Sequence, residues 1–597
     1  MIQRLIRLFR TAPDRPRLLL FALCAALAFV VGFVSLRPIT AQHLITAWGY
    51  YYILAMFSLF VAFAWRVLRA RGTVWRGWLR NPGWPGLILA LASVFVLWSD
   101  PFQHKILFDE YVLQGTAFHM HSTKEVATVV RAYDVQGTWQ PIDTFLDKRP
   151  YFFTFLVSLL HDLTGFRVAN IFVLNAALVP VFLGLVYWLG RALAGRWRAL
   201  LAVGLLATMP LLGQNATGAG MEFHNLAMLA LAMATALLYL RAPDDDRLSL
   251  LVFTALLLSQ SRYESVIFVV PTALVILAGW LRAGRVLLPW PALVAPLLLV
   301  PYAWHNRVLS ASPFLWQLRE GQTSRFSVNY LADNLEGAWK FFFNRGSAIP
   351  NSWYLSALGC AGGAWVLWKA WRWSRQPDRR ELSPALVVLA AFGGGIAGNL
   401  VMLMFYYWSR LDDVMASRFA LPMCLLLALL AALLARALDA RWLHATRLLA
   451  VGLGCWVLVS ALPAMASRIY TNQNLVMQEV EWEHAELLKR RGPFLFVTNA
   501  STIPYVLWRI PTIISGLARE RGAQMRYHLK EGTFKDVIIA QALRPTSAQG
   551  DLGVEPDDVM PENYHLETIA LKRFGGRWIR LSRVVEIAEP VRAGAGG

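Results

Sequence analysis

Two acidic residues, Asp109 and Glu110, stand side by side in the stretch ILFDEYVLQG, which follows an apolar run ending in VFVLWSD. Adjacent carboxylates at the edge of a membrane cost free energy unless they face water, a cation or a substrate. Their position therefore indicates a polar site at the end of an apolar segment, and both residues are candidates for function.

Basic residues that could hold a phosphate lie further along the chain. Lys148 and Arg149 come directly before Pro150, which opens the apolar segment PYFFTFLVSLLHDLTG. Two cations at the level of the lipid headgroups are natural partners for a phosphate. The alternative is that both residues are interface anchors, whose charged ends reach toward the headgroups.

Further ionisable residues lie in GQNATGAGMEFHNLAML and QSRYES. Glu222 stands at the mouth of an apolar segment, where it is either a functional acid or a helix N-terminal acid stabilised by the helix dipole. His224 follows two residues later, and a single histidine in such a place is more often a packing residue than a ligand. Arg262 and Glu264 either pair with each other, or Arg262 points into an outward cavity as a second phosphate contact.

The composition indicates a polytopic membrane protein. Of the 597 residues, 57% are hydrophobic and 16% are charged, whereas soluble chains carry roughly 25% charged residues. The net charge of +20 comes mostly from basic residues in short loops between apolar runs. This distribution is typical of a membrane protein and not of a nucleic-acid-binding protein. The four cysteines show no disulfide or metal spacing. The first apolar run lacks a cleavage site after it, so we interpret it as a retained span.

About thirteen apolar segments approach the roughly 20 residues that a transmembrane helix needs. They cover approximately 18–36, 45–66, 85–100, 168–190, 199–214, 222–240, 248–263, 265–281, 286–304, 352–371, 384–408, 418–436 and 446–466.

The basic loops predict the orientation of these spans, because arginine-rich loops stay in the cytoplasm. The N-terminus and the loops at 66–80, 191–198, 282–285, 369–380 and 436–447 all fall on one side if the segment 150–165 does not cross the membrane. We therefore expect that segment to be interfacial or re-entrant. The N-terminus is then cytoplasmic and the C-terminus lies outside. The Ala-, Leu- and Arg-rich composition suggests a bacterial source, and we expect the protein to lie in the inner membrane.

Three segments face outward in this topology, at 101–167, 214–222 and 304–351. Within the first, Val126, Val129, Val130 and Tyr133 have helical spacing, which predicts an amphipathic helix on the membrane surface. The third segment carries Arg319, Arg325 and Arg345 among aromatic residues. This segment is either a mobile lid over a cavity or a packed surface loop.

The predicted fold is an all-α polytopic membrane protein with a small C-terminal extracytoplasmic α/β domain. We expect four parts: an N-terminal cytoplasmic segment and anchoring helix hairpin, a catalytic transmembrane module, further transmembrane helices, and a periplasmic domain with short β-branched runs such as KDVIIAQAL. These parts cover 1–84, 85–285, 286–467 and 468–597.

The order of these features resembles the GT-C superfamily of polyprenyl-phosphate-sugar-dependent glycosyltransferases. Among its members, the protein O-mannosyltransferases of family 39 and the lipid A aminoarabinose transferases are nearest. The resemblance covers about 85–285 and rests on the ordered set FDE (108–110), GTWQP (137–141), DKRPYFFTFL (147–156), GAGMEFHN (218–225) and, more weakly, SQSRYES (259–265).

The resemblance implies transfer of a sugar from a lipid-phosphate carrier to a glycan, lipid or protein acceptor on the outer face of the membrane, with inversion. It implies that Asp109 is the general base with Glu110 assisting, and that Glu222 is a second acid that orients a substrate. It also implies that Arg149, with Lys148 beside it, contacts the carrier phosphate, and that Arg262 with its neighbour Glu264 belongs to the substrate site. His224 completes the set of candidate substrate-binding residues. Acids from two separate outward segments should then converge beside these cations.

Two questions stay open at this level. The stretch YVLQGTAFHMHSTKE is longer than the aminoarabinose branch leads us to expect, which makes Glu125 and Asp134 rival acids. Some relatives use a divalent metal ion, for which Asp109, Glu110 and Glu222, with His119, His121 or His224, could be ligands. Because hard-metal ligands are sparse here, we expect a mechanism without metal or other cofactor.

Two other classes of protein compete with this interpretation. A glycan or lipid transporter should show paired repeats and charges near the bilayer midplane, whereas the ionisable residues here gather at the outward rim. A wall-polymer ligase should carry its key residues mainly as arginine and histidine in late loops.

Overall fold

The computed structural model describes residues 15–70, 83–106, 108–311, 318, 322, 324–376, 381–442, 444–546 and 551–589. The predicted cytoplasmic N-terminus, most of the basic loop at 66–80 and Arg319 lie outside the described residues.

The chain divides into two compact units. The first, which we call the helical unit, comprises Met1–Gln103, Lys124–Val126 and Lys148–Ile469. The second, the sheet unit, comprises His104–Thr123, Ala127–Asp147 and Tyr470–Gly597. Part of the first predicted outward segment therefore folds with the C-terminal residues. The four-part division of the chain by function stays a prediction.

The helical unit consists of helices joined by short connections. Its α-helices are Arg15–Phe29, Pro38–Ala70, Gly83–Trp98, Phe152–Thr164, Asn170–Ala194, Arg196–Ala207, Pro210–Ala216, Glu222–Arg241, Asp245–Ser259, Val269–Ala283, Trp290–Leu298, Val300–Ala311, Leu331–Phe343, Trp353–Ser374, Pro384–Met404, Leu421–Asp439, Ala445–Trp456 and Leu462–Ala466. Short stretches of 3₁₀- or π-helix extend several of them, at Val30–Val34, Tyr263–Phe268, Val328–Tyr330, Ser417–Ala420 and Val457–Ala461.

Eight helices of the described residues are long and apolar enough to cross a membrane, or nine if one pair bent by 71° counts as a single span. They are Arg15–Val34, Pro38–Ala70, Asn170–Ala194, Glu222–Arg241, Tyr263–Ala283, Pro384–Met404, Ser417–Asp439 and Ala445–Gln473, with the bent pair Arg196–Ala207 and Pro210–Ala216. These helices indicate a multi-pass membrane protein. The predicted number of about thirteen spans is not confirmed, because other predicted spans correspond to shorter or broken helices, such as Gly83–Trp98 and Trp290–Leu298.

The segment predicted not to cross the membrane forms the helix Phe152–Thr164. Its 13 residues extend only about 20 Å, which is less than the ~30 Å of a hydrocarbon core. Its length therefore agrees with the prediction, and its location at the interface stays a prediction.

The sheet unit contains a β-hairpin and a six-stranded sheet. The hairpin pairs β1 (Thr128–Val135) with β2 (Thr138–Phe145). The larger sheet has the order β4-β3-β5-β8-β7, with β6 paired to β5. Its strands are β3 (Phe494–Thr498), β4 (Thr512–Ile514), β5 (Asp536–Pro545), β6 (Leu552–Val554), β7 (Tyr564–Phe574) and β8 (Arg577–Ile587). The α-helices of the unit are Asp109–Thr123, Ile469–Gln473 (apart from its first residue), Leu475–Leu487, Ile503–Leu507, Ser515–Glu520 and Gly522–Lys530, and a 3₁₀ turn lies at Pro556–Asp558.

This sheet is mixed, since β3 pairs in parallel with β4 and β5, while β8 runs antiparallel to both β5 and β7. The central strand β5 is buried along most of its length, as expected for a strand covered on both faces. The predicted small C-terminal α/β region is therefore present.

The predicted amphipathic surface helix at 126–133 is wrong. Residues from Thr128 onward form β1, and Val129 and Ala132 are fully buried. The reason is a two-residue turn at Gln136 and Gly137, whose φ angles of 53° and 80° suit the tight connection of a hairpin. The β-branched residues before the turn also favour an extended strand.

Candidate active site

Three of the segments that carry the family resemblance meet in the helical unit. The backbone N–H of Phe152 donates to the carbonyl oxygen of Gln260 at 3.1 Å, which joins PYFF to SQSRYES. The ring of His224 lies 5.1 Å from that of Phe152 and 5.4 Å from that of Phe153, which joins both to GAGMEFHN. Residues far apart in the sequence thus form one local structure.

An ionic cluster lies beside this junction. Nη1 of Arg262 is 3.2 Å from Oε1 of Glu222, and Nη1 of Arg418 is 3.2 Å from the same oxygen. Nε of Arg262 lies 2.6 Å from Oε1 of Glu264. Arg262 therefore pairs locally with Glu264, which was the first alternative, and it also reaches the acid of another segment. Its role as a phosphate contact stays a prediction.

The cluster is built from the ends of three candidate spans. Glu222 begins the helix Glu222–Arg241, Arg262 directly precedes Tyr263–Ala283, and Arg418 is the second residue of Ser417–Asp439. All three residues therefore lie at the N-terminal ends of spans, where the unpaired backbone N–H groups give a positive field. A carboxylate such as Glu222 is favoured in this field.

The charged side chains are almost fully buried, with exposed fractions of 3% for Glu222 and Arg262, 4% for Arg418 and 11% for Glu264. A small cavity of about 10 Å³ touches them, which is about the space of one water molecule. In this conformation the cluster is closed, so a sugar could reach it only after side chains or helices move.

Three buried acceptor atoms at this cavity have no hydrogen-bond donor among the described residues. They are Oε2 of Glu222, Oε2 of Glu264 and Oδ1 of Asn399. Buried acceptors without donors are unfavourable, and hydroxyl groups of a ligand or a water molecule would satisfy them. Nearby, the hydroxyl of Ser265 donates to Oδ1 of Asn225 at 2.6 Å and fixes that side chain.

Sequence reasoning missed Arg418 and Asn399. The sequence did contain a signal for Arg418, because this charged residue stands at the first position of a predicted span, just as Glu222 does. Asn399 lies within an apolar run, GGGIAGNLVML, and its only signal is that it is polar among apolar residues.

The other predicted substrate-binding residues have different environments. Lys148 and Arg149 are partly exposed at the start of the segment that leads into Phe152–Thr164. His224 is buried, and its two ring nitrogens make no hydrogen bond among the described residues, so its visible role is packing against two phenylalanines. Binding of substrate by these three residues stays a prediction.

The adjacent acids Asp109 and Glu110 begin the helix Asp109–Thr123 of the sheet unit. Asp109 is partly exposed, whereas Glu110 is fully buried and its Oε2 accepts the backbone N–H of Lys105 at 2.6 Å. The two neighbours therefore differ in environment, and Glu110 holds the loop before the helix. Because Glu222 belongs to the helical unit, the convergence of Asp109 with Glu222 stays a prediction.

A buried histidine, His104, lies in the same loop. Oε1 of Gln114 lies 3.1 Å from Nε2 of His104, and the His104 ring stacks on Tyr111 at 4.0 Å. Burial lowers the pKa of His104 to about 4, so it is neutral at physiological pH. It adds no positive charge beside the acidic pair.

The rival acids have other surroundings. Oδ1 of Asp134 accepts the backbone N–H of Gly137 at 2.7 Å and so stabilises the hairpin turn. Glu125 is exposed. Within the described residues, no group of three or more His, Cys, Asp or Glu side chains could hold a metal ion. Whether the chemistry needs a metal stays untested.

A model of a known family matches this part of the chain. Residues 148–305 match the family described as dolichyl-phosphate-mannose-protein mannosyltransferase. The predicted resemblance to the GT-C glycosyltransferases is confirmed. The matching segment includes Lys148, Arg149, Glu222, Arg262 and Glu264, and thus most of the ionic cluster of this glycosyltransferase-like region.

Solved GT-C structures are also similar to the chain. ArnT from Cupriavidus metallidurans bound to undecaprenyl phosphate has a TM-score of 0.49 and 14% identity, over 85% of this chain and 99% of that chain. The oligosaccharyltransferase of Archaeoglobus fulgidus in the apo form has a TM-score of 0.46 and 11% identity, over 80% of this chain and 75% of that chain. None of the curated proteins matches the chain by sequence.

Proposed function

We propose that this protein transfers a sugar from a polyprenyl-phosphate-sugar donor to a glycan, lipid or protein acceptor, with inversion at the anomeric carbon. The family model supports a lipid-phosphate-linked donor, since its description names dolichyl-phosphate-mannose. The reaction takes place on the outer face of a bacterial inner membrane, with the N-terminus in the cytoplasm and the C-terminal domain in the periplasm. The basic loops between the apolar segments support this orientation.

The observation that carries the proposal is the ionic cluster at the N-terminal ends of three candidate spans. A buried group of charges at such a place is costly and is typically retained for function. Oε2 of Glu222 and Oε2 of Glu264 make no hydrogen bond among the described residues, and sugar hydroxyl groups are suitable donors for them. These acceptors suit a hydroxyl-rich ligand.

The charges of the cluster suggest how Glu222 acts. Its carboxylate already faces Arg262 and Arg418, so it fixes these guanidinium groups and orients a sugar through its second oxygen. We assign the role of general base to Asp109, which is partly exposed, and a supporting structural role to its buried neighbour Glu110.

The reaction is a single displacement. The acceptor hydroxyl oxygen attacks the anomeric carbon from the face opposite the phosphate, and the bond between that carbon and the phosphate oxygen breaks. Asp109 takes the hydroxyl proton, and the polyprenyl phosphate leaves with the electron pair of the broken bond. Lys148 and Arg149 stabilise the negative charge of the polyprenyl phosphate, as cations stabilise leaving groups in other active sites.

The decisive test replaces Asp109 by Asn. Purified full-length protein is given a radiolabelled polyprenyl-phosphate sugar and a membrane extract that contains acceptors, and transfer of label is measured. We expect Asp109→Asn to lower the rate at least about 100-fold, because general base catalysis contributes ~10²–10⁴-fold.

The rival acid Glu125 is the matched control, since Glu125→Gln should leave the rate within about twofold. If Asp109→Asn transfers label at the wild-type rate, the assignment of the base is wrong, and a loss of transfer with Glu125→Gln would instead indicate Glu125. If the wild-type protein instead moves an intact lipid-linked glycan across the membrane of vesicles and transfers no sugar, it is a transporter. Joining of whole lipid-linked polymers would indicate a wall-polymer ligase.

A further inference from the structure

A second, larger cavity lies in the helical unit. Its volume is about 330 Å³, within the range of sites for small molecules. Aromatic and ionisable side chains form much of its wall, among them Tyr330, Asp333, Tyr407, Trp408, Arg410 and Asp412. None of these residues belongs to the ionic cluster around Glu222.

The wall of this cavity is held in place by hydrogen bonds between two segments. Nδ2 of Asn334 donates to the carbonyl oxygens of Met404 at 3.0 Å and of Tyr406 at 2.9 Å. The backbone N–H of Tyr407 donates to the carbonyl oxygen of Arg325 at 3.0 Å. The bonds of Asn334 join the helix Leu331–Phe343 to the C-terminal end of Pro384–Met404 and the residues after it, and the bond of Tyr407 joins those residues to Arg325.

Two charged residues of the wall form a bidentate ion pair. Nε and Nη2 of Arg410 donate to the two carboxylate oxygens of Asp412, each at 3.0 Å. Hydrogen bonding to Arg410 holds the pKa of Asp412 below its usual value, so this carboxylate is ionised. A bidentate pair of this kind has a specific geometry, and it contributes polar surface to the cavity.

The chemistry of the wall favours one class of ligand. With Asp333, Asp412 and Asp413 against Arg410, the wall carries three negative charges and one positive charge, which disfavours a phosphate. Carboxylates accept hydrogen bonds from hydroxyl groups, while the faces of Trp408 and Tyr407 offer apolar area beside them. A sugar ring has both kinds of surface.

The cavity is linked to the ionic cluster through Trp408. The guanidinium of Arg418 lies 5.9 Å from the centre of the Trp408 ring, and the rings of Trp408 and Phe419 are 6.4 Å apart. Arg418 also contacts Glu222, as described above. A ligand in the cavity would therefore be separated from the cluster by one aromatic side chain.

We propose that this cavity binds a saccharide, either the sugar of the donor or the glycan of the acceptor. The choice of a saccharide rests on the proposed function, whereas the polar cavity itself does not depend on it. Asp333 and Asp412 accept hydrogen bonds from hydroxyl groups of the sugar, and Trp408 packs against its apolar face.

The test measures binding of free sugars directly. Saturation-transfer NMR is recorded on the full-length protein in detergent with methyl mannoside, methyl arabinoside and methyl glucoside. We expect at least one sugar to receive saturation from the wild-type protein. Asp333→Asn should weaken its binding about tenfold, which corresponds to loss of a hydrogen bond to a charged group of ~1.4 kcal/mol.

Glu336→Gln is the matched control, because Glu336 lies on the same helix as Asp333 but does not line the cavity. Trp408→Phe is a second variant that keeps an aromatic ring, and it should weaken binding less than Asp333→Asn. Absence of any signal with wild-type protein, or equal binding by Asp333→Asn and Glu336→Gln, would overturn the proposal.

Competition distinguishes the two sources of the sugar. If polyprenyl-phosphate mannose displaces the free sugar and polyprenyl phosphate alone does not, the cavity holds the donor sugar. If neither displaces it, the cavity holds the acceptor glycan. If no sugar binds in the cavity, the result of the transfer assay with Asp109→Asn does not change. The proposed saccharide site and the proposed sugar transfer can therefore fail separately.

Discussion

Glu222 illustrates how single residues behave in this protein. Its carboxylate lies at a helix N-terminus and faces two guanidinium groups from other helices. Charges buried in this way stabilise a fold only when every partner is present, because removing one partner leaves an uncompensated charge in a medium of low dielectric constant. Glu222, Arg262 and Arg418 should therefore respond to substitution as a coupled set.

A double-mutant cycle tests this coupling. We expect Glu222→Gln and Arg418→Met each to lower the free energy of unfolding by about 3–5 kcal/mol, and the double variant to lose clearly less than the sum. Thermal or denaturant unfolding of the detergent-solubilised protein measures both quantities.

The exposed pair of Glu336 and Lys340 serves as a control for that cycle. These residues are one turn apart on the helix Leu331–Phe343, and their side chains are 56% and 46% exposed. Removing either residue should leave the stability almost unchanged, because exposed ion pairs contribute little. Strictly additive effects of Glu222→Gln and Arg418→Met would contradict a coupled cluster.

At this scale the sequence predicted residue types better than residue environments. Glu222, Arg262 and Glu264 were selected because ionisable residues at apolar boundaries are rare and expensive, and the structure brings these three together. The difference between Asp109 and Glu110 was not predictable, because it depends on which carboxylate meets the backbone N–H of Lys105.

Secondary-structure elements in the helical unit are packed closely through glycine. The helix Trp353–Ser374 lies against Leu421–Asp439, and a Cβ atom on Gly362 would be 2.3 Å from the carbonyl oxygen of Leu430. A backbone atom cannot move aside as a flexible side chain can. Small residues allow helices in a membrane to approach in this way.

Two neighbouring glycines give a matched comparison. We expect Gly362→Ala to destabilise the protein by about 1–3 kcal/mol, because the two helices must separate. Gly363→Ala should be neutral or slightly stabilising, since its Cβ would meet only the Leu430 Cδ1 atom at 3.5 Å. Melting temperatures of the two variants in detergent decide the point, and equal values would show that the close approach at Gly362 can relax.

The hairpin at Thr128–Phe145 shows where periodicity alone misleads at the element scale. Val126, Val129, Val130 and Tyr133 fit a helical repeat, yet the same residues are β-branched or aromatic and precede a tight turn. The positive φ angles of Gln136 and Gly137 are a local property that the sequence QG signals only weakly. Short amphipathic patterns therefore need the turn residues to be considered with them.

The sheet unit is assembled from segments far apart in the sequence. Nε1 of Trp139 in the hairpin donates to the carbonyl oxygen of Val506 at 3.1 Å, and Tyr111 of the helix Asp109–Thr123 meets the ring of Trp508 edge-on at 5.9 Å. The helix that begins with Asp109 is thus supported by the C-terminal residues. Loss of their folding should disturb the proposed general base as well.

A buried carboxyl makes the stability of the sheet unit depend on pH. Burial raises the pKa of Glu483 to about 8, compared with ~4.3 for an unfolded glutamate. The folded state therefore binds this proton more tightly than the unfolded state does, so stability is lost as the pH rises from about 4 to about 8. The hydroxyl of Tyr505 donates to Oε2 of Glu483.

Replacing Glu483 by Gln removes this titration. At about pH 8 we expect Glu483→Gln to raise the free energy of unfolding by on the order of 1–3 kcal/mol, and near pH 4 to have little effect. Pulse proteolysis in urea at several pH values measures the free energy of unfolding of both proteins. Burial also raises the pKa of Glu479 and Asp558, so only part of the pH dependence should disappear.

The exposed residue Glu520 provides the control, and Glu520→Gln should leave the pH dependence unchanged. If Glu483→Gln were less stable than the wild type at pH 8, the ionised carboxylate would be the stabilising form. That result would reverse the sign of the pKa shift.

The sequence by itself determined that the chain enters a membrane many times, that its C-terminal part forms a small α/β region, and that its ordered motifs are those of a glycosyltransferase superfamily. The first two conclusions follow from local properties, namely apolar length and the placement of charged and β-branched residues. The third rests on the resemblance of the ordered motifs to that superfamily. The tertiary structure decided which of those motifs meet, how Arg418 joins Glu222 and Arg262, and which residues support Asp109. Such contacts depend on the packing of distant segments, and no spacing along one chain specifies that packing.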